Sequence, residues 1–301
     1  MSKDIPRKTY LKANMGMGKF DIPFDYEEMQ ATNGLISGTN RRGKTRLGCN
    51  IASILETFSW KNVVVDPTGK WREVSDIPTF YTVREQRNYD PVSKEWLYPF
   101  PESSMIYDTQ LLIPRQQRSF VNQLSLYLWN YQVTTRSKQW VLLTLEESQL
   151  YMRNIKGDVA QNLLRICSAG RNQQIRILAI VPDLALIATD FIRLCGQRWH
   201  AKLALEENSK RKFNRTYGKD WTEVAIHLDV GCFMYVNTSK EIQKVYCVPC
   251  FETKRIPQPF YVPMPTQPKP KSLWQRIKEF FFGTSAYRKT GGQNEAMRVS
   301  L

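Results

Sequence analysis

The chain has 301 residues, with 43 Lys+Arg against 28 Asp+Glu, a formal net charge of +15 and 42% hydrophobic residues. Apolar and aromatic content is too high for a disordered chain. Its longest apolar stretches, such as Ile177–Val181, fall far short of the roughly 20 residues that a membrane-spanning helix needs.

The length suits one large core, or one core with a small appendage, at roughly 100–200 residues per domain. The positive charge points to a polyanionic partner, although solubility alone would also account for it. Nine basic and three acidic residues lie from Glu252 onward, so the excess is spread over body and tail. The body alone can therefore attract nucleic acid. Met1–Pro6 shows no apolar run followed by a small-residue cleavage site, which predicts a cytoplasmic location. The six Cys are scattered, as reduced thiols are. The one close pair, Cys247 and Cys250, has neither of the two His nearby and is short of the four ligands of a zinc site.

Residues 1–33 read as a polar, irregular N-terminal extension, in which Gly16 and Gly18 break any helix. Gly34–Ser37 is a short apolar strand that runs into a Gly-rich turn. From Lys44 to Phe58 the residues Leu47, Ile51, Ile54, Leu55 and Phe58 recur at helical spacing. Val63, Val64 and Val65 make Lys61–Asp66 a buried strand, stopped by Asp66-Pro67-Thr68-Gly69. Further strands are predicted at Ile77–Val83, Ser104–Asp108, Trp140–Leu145, Ile175–Val181 and Trp199–Leu205. Helices are predicted at Pro114–Asn130, Ala160–Ala169 and Asp190–Cys195, and residues 88–100 read as an inserted loop.

Strands alternating with helices predict an α/β fold with a doubly wound, mostly parallel sheet. Gly231–Asn237 and Gln243–Phe251 add a hairpin at one edge. Six prolines between Ile256 and Lys271 mark an extended linker, which closes a main domain over residues 34–255. The tail, residues 272–301, begins with a candidate short helix. There Leu273, Trp274, Ile277, Phe280, Phe281 and Phe282 interleave with Lys271, Arg276 and Lys278. Such a segment can lie on an anionic membrane or dock on a partner protein; the alternative is a helix packed back on the body.

Gly38-Thr39-Asn40-Arg41-Arg42-Gly43-Lys44-Thr45 fits G-x-x-x-x-G-K-[ST] at every fixed position, after a predicted strand and before a predicted helix. Glycines let the backbone curl so that successive N–H groups point at phosphate oxygens. The helix beginning at Lys44 adds its positive end. Lys44 would reach the β- and γ-phosphates and the Thr45 hydroxyl would bind magnesium, so ATP with Mg²⁺ is the expected ligand. Hydrolysis needs a second, acidic site at a neighbouring strand end. The strand Trp140–Leu145 ends in two carboxylates, of which Glu146 would contact the magnesium shell and Glu147 would polarise the attacking water. The alternative is a helix start with two acids at its positive end.

These residues resemble the HerA–FtsK superfamily of ring-forming, DNA-translocating P-loop ATPases over about residues 33–250. The resemblance rests on the order of four features: the loop, the strand running into Asp66-Pro67-Thr68-Gly69, the acidic strand end Leu143–Gln149, and Gly170-Arg171 before an apolar strand. It implies a homo-hexamer with double-stranded DNA in a basic channel, as in viral genome packaging or plasmid transfer. Of Arg165, Arg171 and Arg176, the resemblance selects Arg171 as the residue that completes a neighbour's site; the alternative is an Arg in a structural ion pair. The basic, aromatic tail, outside the span of the resemblance, is expected to contact a capsid, portal or membrane vertex. Two departures stand out. Glu146 occupies a position where the family carries Asp, and Val181-Pro182-Asp183 lacks the polar residue that senses the γ-phosphate, unless Asp183 replaces it. A zonula-occludens-toxin-type phage assembly ATPase and a slow nucleotide switch are the competing readings. His200 and His227 read as structural.

Overall fold

A computed structural model describes residues 9–13, 20–77, 79–84, 104–137, 139–152 and 161–246. All of them lie in the first of two units, Met1–Phe260 and Tyr261–Leu301. The linker, the tail, Cys247, Cys250 and the inserted loop at 88–100 lie outside the described residues.

Nine strands form one sheet: β3 (Asn33–Ser37), β4 (Lys61–Asp66), β5 (Thr79–Thr82), β6 (Met105–Asp108), β7 (Val141–Leu145), β8 (Ile175–Val181), β9 (Cys195–His200), β10 (Cys232–Val236) and β11 (Ile242–Tyr246). The spatial order is β11-β10-β9-β3-β8-β7-β4-β6-β5. The strands from β9 to β5 are mutually parallel, whereas β10 and β11 run antiparallel and make the expected edge hairpin. Successive residues face opposite sides, and both sides are covered, so the strands read as unbroken apolar runs. Leu143, Leu145, Ile177 and Ala179 pack on one face with α4 (Pro114–Thr135) and α5 (Gln161–Ala169). On the other face Leu142, Val64, Leu178 and Ile180 pack against α2 (Lys44–Thr57) and Trp71, which opens the short α3 (Trp71–Val74).

Parallel pairing brings the last residues of five strands to one edge. Ser37 pairs with Val181, Leu145 with both Ala179 and Val65, and Asp66 with Asp108. The chain leaves β3 by α2 and re-enters the sheet at β4, passing over β8 and β7. A change of strand order of this kind opens a crevice at the strand ends where ligands bind.

Three readings are corrected. Residues before β3 are not irregular throughout: β1 (Thr9–Ala13) and β2 (Phe20–Phe24) pair antiparallel, followed by α1 (Tyr26–Ala31). The helix is short, but Asp25 caps it by accepting the Glu28 N–H at 3.0 Å, and Tyr26 and Met29 are buried. The strand expected at Trp199–Leu205 is β9, Cys195–His200, and the helix before it is α6, Thr189–Arg193. Gly196 and buried Gln197 hid it: Gln197 bridges both backbone groups of Asp25 and takes the Tyr235 hydroxyl. Helices α7 (Glu207–Tyr217) and α8 (Lys219–Ile226) were not anticipated, because α7 is polar nearly all round and buries only Ser209 and Phe213. Among the described residues, no helix is long and apolar enough to cross a membrane.

Candidate nucleotide site

The loop Gly38–Thr45 lies between β3 and α2 on the shared strand-end edge. A Cβ at Gly38 would sit 2.6 Å from the Ala201 Cβ and 3.0 Å from its backbone, and φ is +141°, so only glycine fits there. The Thr39 N–H donates to the Lys202 carbonyl at 2.9 Å, which pins the first turn of the loop to the end of β9. Asn40 and Arg41 are exposed and Arg42 is half-buried. Gly43, at φ +90°, is the N-cap of α2 and supplies no side-chain cap. The first N–H groups of this 14-residue helix therefore have neither an intrahelical partner nor a capping side chain. That is the donor set a phosphate takes.

Lys44 is only 7% exposed, and its Nζ donates to the Thr39 carbonyl at 3.0 Å, folded over the cradle. Burial lowers its pKa, opposed by the carboxylates of Glu146 and Glu147. The decisive contact is between Thr45 and Glu146: the Oγ1 of the loop threonine donates to Glu146 Oε1 at 3.2 Å. Two groups far apart in sequence thus meet where a magnesium ion would take a hydroxyl and a carboxylate. Magnesium keeps several waters and needs only one or two protein ligands in a nucleotide site. Among the described residues no three His, Cys, Asp or Glu side chains form a metal cage.

Glu146 is 3% exposed, and burial pushes its pKa up to about 7, against the pull of the Trp71 hydrogen bond. Its second oxygen accepts the Trp71 indole N–H at 2.8 Å. Trp71 is in turn held by Asp66, whose Oδ2 accepts the Trp71 backbone N–H at 2.8 Å while Oδ1 accepts both donors of Thr68. Asp66 is therefore occupied in shaping the turn. Gly48 makes room for the indole, since a Cβ there would lie 3.1 Å from the ring and 2.7 Å from Ile180 Cδ1. Sequence reading missed Trp71; a glycine inside a helical run, the mark of a close approach, was the available signal.

Glu147 has a left-handed backbone, φ 51°, and its carboxylate accepts the Gln149 amide at 2.5 Å. A non-glycine residue in this region is strained, and such strain gathers at functional positions. Asp183 also ends on this edge, but its oxygens cap the Ala185 N–H and accept the Ser209 hydroxyl. Arg171 is not at the strand-end edge. It is exposed on a 3-10 turn just before β8, at the opposite end of that strand from Val181. Seven residues of strand separate the two edges, roughly 20 Å at 3.3 Å per residue. His200, read as structural, lies buried under the loop between Ser37 Oγ and Tyr217 Oη, at 2.7 Å from each.

Two expectations follow. Trp71→Phe keeps the ring packing but removes the donor to Glu146, and is expected to weaken magnesium-dependent ATP binding about tenfold, the worth of one hydrogen bond to a charged group. Titrating nucleotide with and without Mg²⁺ checks it. Second, a carboxyl with a pKa near 7 holds a proton that a cation must displace. Nucleotide binding at pH 7 is therefore expected to release protons with Mg²⁺ and not in Glu146→Gln, as read by calorimetry in buffers of different ionisation enthalpy.

No protein-family model matches the sequence, and no curated protein does. Solved structures do. The genome packaging NTPase B204 of Sulfolobus turreted icosahedral virus 2, in complex with AMPPCP, matches with a TM-score of 0.53 and 13% identity over 73% of this chain and 99% of its own. Its complex with ATP-gammaS gives a TM-score of 0.55 at 11% identity with the same coverage. VirB4 of Thermoanaerobacter pseudethanolicus matches with a TM-score of 0.52 and 8% identity over 72% of this chain and 90% of its own. What the chain shares with them is the fold expected from the sequence, an α/β fold with a doubly wound, mostly parallel sheet.

Proposed function

We propose that this chain is an ATPase that couples ATP hydrolysis to movement of double-stranded DNA, in genome packaging or plasmid transfer, as a ring of identical subunits. The observation that carries the reading is the Thr45–Glu146 contact, with Glu147 next in the chain on a strained backbone. Loop amides and Lys44 would bind the phosphates, and Thr45 with Glu146 would hold the magnesium ion, which supplies charge neutralisation at the phosphoryl oxygens. Glu147 would accept a hydrogen bond from the attacking water. Arg171, roughly 20 Å of strand away from its own loop, would serve only the site of a neighbouring subunit. The neighbours in the fold include a packaging NTPase, and the charge of +15 suits a DNA substrate.

The test is ATP turnover with and without double-stranded DNA. Stimulation by DNA is expected, with turnover and ATP binding both lost in Lys44→Ala. Turnover indifferent to DNA would overturn the motor reading. One observation favours a second reading, a nucleotide-gated switch that hydrolyses slowly. The polar residue at the end of β8, Asp183, is engaged by Ala185 and Ser209 rather than left to sense a γ-phosphate.

A further inference from the structure

Beyond the end of β8, between the turn that carries Asp183 and helix α7, the surface opens into a groove of about 580 Å³. Helix α7 is fixed to the body along one side. Ser209 bonds Asp183, Lys212 Nζ donates to the Ile187 carbonyl at 2.6 Å, and Phe213 packs edge-on against His200 at 5.3 Å between ring centroids. Anchored in this way, the helix turns Arg211 and Arg215, one turn apart, toward the groove, and Arg193 of α6 lines it as well. Thr189 and Asn208 add neutral donors, while the Thr216 hydroxyl donates to the Lys212 carbonyl at 2.8 Å. Arginines with Thr and Asn donors are the side chains that contact nucleic-acid phosphates.

The cations that line the groove, Arg193, Arg211, Lys212 and Arg215, outnumber the acids that line it, Asp183 and Glu206, and Asp183 is held by its cap and by Ser209. Arg211 reaches Glu207 only at 4.0 Å, with the side chains 64% and 75% exposed. Arg193 pairs with Asp190 at 3.6 Å, with both even more exposed. Exposed pairs of this kind are worth about 0–1 kcal/mol and yield readily to a phosphate. The groove opens from the strand-end edge that carries the phosphate loop, and Tyr217 at the end of α7 is bonded through His200 to Ser37, the residue before Gly38.

We infer that the groove between α6 and α7, with Arg193, Arg211 and Arg215, grips the phosphate backbone of double-stranded DNA. The inference rests on the proposed function and names its DNA-contacting surface. Each phosphate neutralised contributes about 0.9 to the slope of log affinity against log salt.

The experiment measures binding of a fluorescent DNA duplex between 50 and 200 mM salt for three proteins. They are the wild type, the double variant Arg211→Glu/Arg215→Glu, and a control with equal charge change, Arg115→Glu/Arg136→Glu, on exposed positions of α4 and its C-cap. Binding of a fluorescent ATP analogue reports that each variant is folded. The expected result is a loss of about tenfold or more for the α7 variant, with a salt slope lower by about 2, against little change in the control. Equal losses in both variants would mean bulk charge alone and overturn the inference while leaving the proposed function standing, as would unchanged binding by the α7 variant. A wild type that binds no duplex at all would instead overturn the proposed function, and the inference with it.

Discussion

Glu147→Gln is expected to leave ATP bound and to lower its turnover by about two to three orders of magnitude, the range spanned by loss of a positioned acid–base group. The two adjacent carboxylates have different surroundings. Glu146 is buried and bonded to Thr45 and Trp71, with its pKa raised to about 7. Glu147 is half-buried on a left-handed backbone, with its carboxylate held by Gln149. Carboxyl groups in contrasting environments take contrasting roles; in the proposed function Glu146 would serve the cation and Glu147 the water. Glutamine keeps the size and the oxygen that Gln149 bonds, but loses the charge that polarises a water. Nucleotide binding by fluorescence and turnover by phosphate release separate the two effects. Binding lost together with turnover would assign Glu147 to the fold; turnover retained would remove it from the chemistry.

His200→Phe is expected to destabilise the protein by about 2–3 kcal/mol at pH 7, because the Ser37 hydroxyl under the loop loses its partner and Tyr217 loses one of two. The imidazole is fully buried, and burial together with Arg198 depresses its pKa to about 3. It is thus neutral in the folded chain. The neutral ring offers one donor and one acceptor nitrogen, which the Ser37 and Tyr217 hydroxyls take up.

The sign of the pH dependence follows from these groups. Between the unfolded pKa of about 6.5 and the folded one near 3, the unfolded chain binds the extra proton, so His200 makes stability fall as pH is lowered below 6.5. Glu146 acts oppositely: its folded pKa is raised from 4.5 to about 7, so its share of stability falls as pH rises through that window. The wild type should therefore show partial cancellation between pH 4.5 and 6.5. His200→Phe removes one side of the balance, and the variant is expected to gain stability on acidification from pH 7 to 5 in urea titrations. A variant that follows the same pH profile as the wild type would contradict the assignment.

What was legible in the sequence was set by chemistry that tolerates no variation in spacing. The phosphate loop needs its glycines, Lys44 and Thr45 at fixed offsets, and Glu146-Glu147 directly ends an apolar strand. The valines of β4 and the apolar run of β8 announce strands buried on both faces. By contrast, β9 is built from Gly196 and a buried Gln197, whose polarity is satisfied by Asp25 and Tyr235, residues remote in sequence. Helix α7 escapes for a related reason: its anchors are a serine, a lysine ammonium and one phenylalanine rather than an apolar stripe. Trp71 shows its role only once the order β8-β7-β4 sets its indole over Glu146. The place of Arg171, away from its own loop, becomes visible only from the direction of β8 in the sheet.

The most direct test of DNA movement is displacement of a third strand from a triplex at the end of a long linear duplex, with ATP and Mg²⁺ supplied. A translocating ATPase is expected to strip the third strand at a rate that depends on the length of the duplex leading to it. Lys44→Ala and Glu147→Gln should leave it in place. Brisk ATP hydrolysis with the triplex intact would contradict DNA movement, and with it the central reading of this chain.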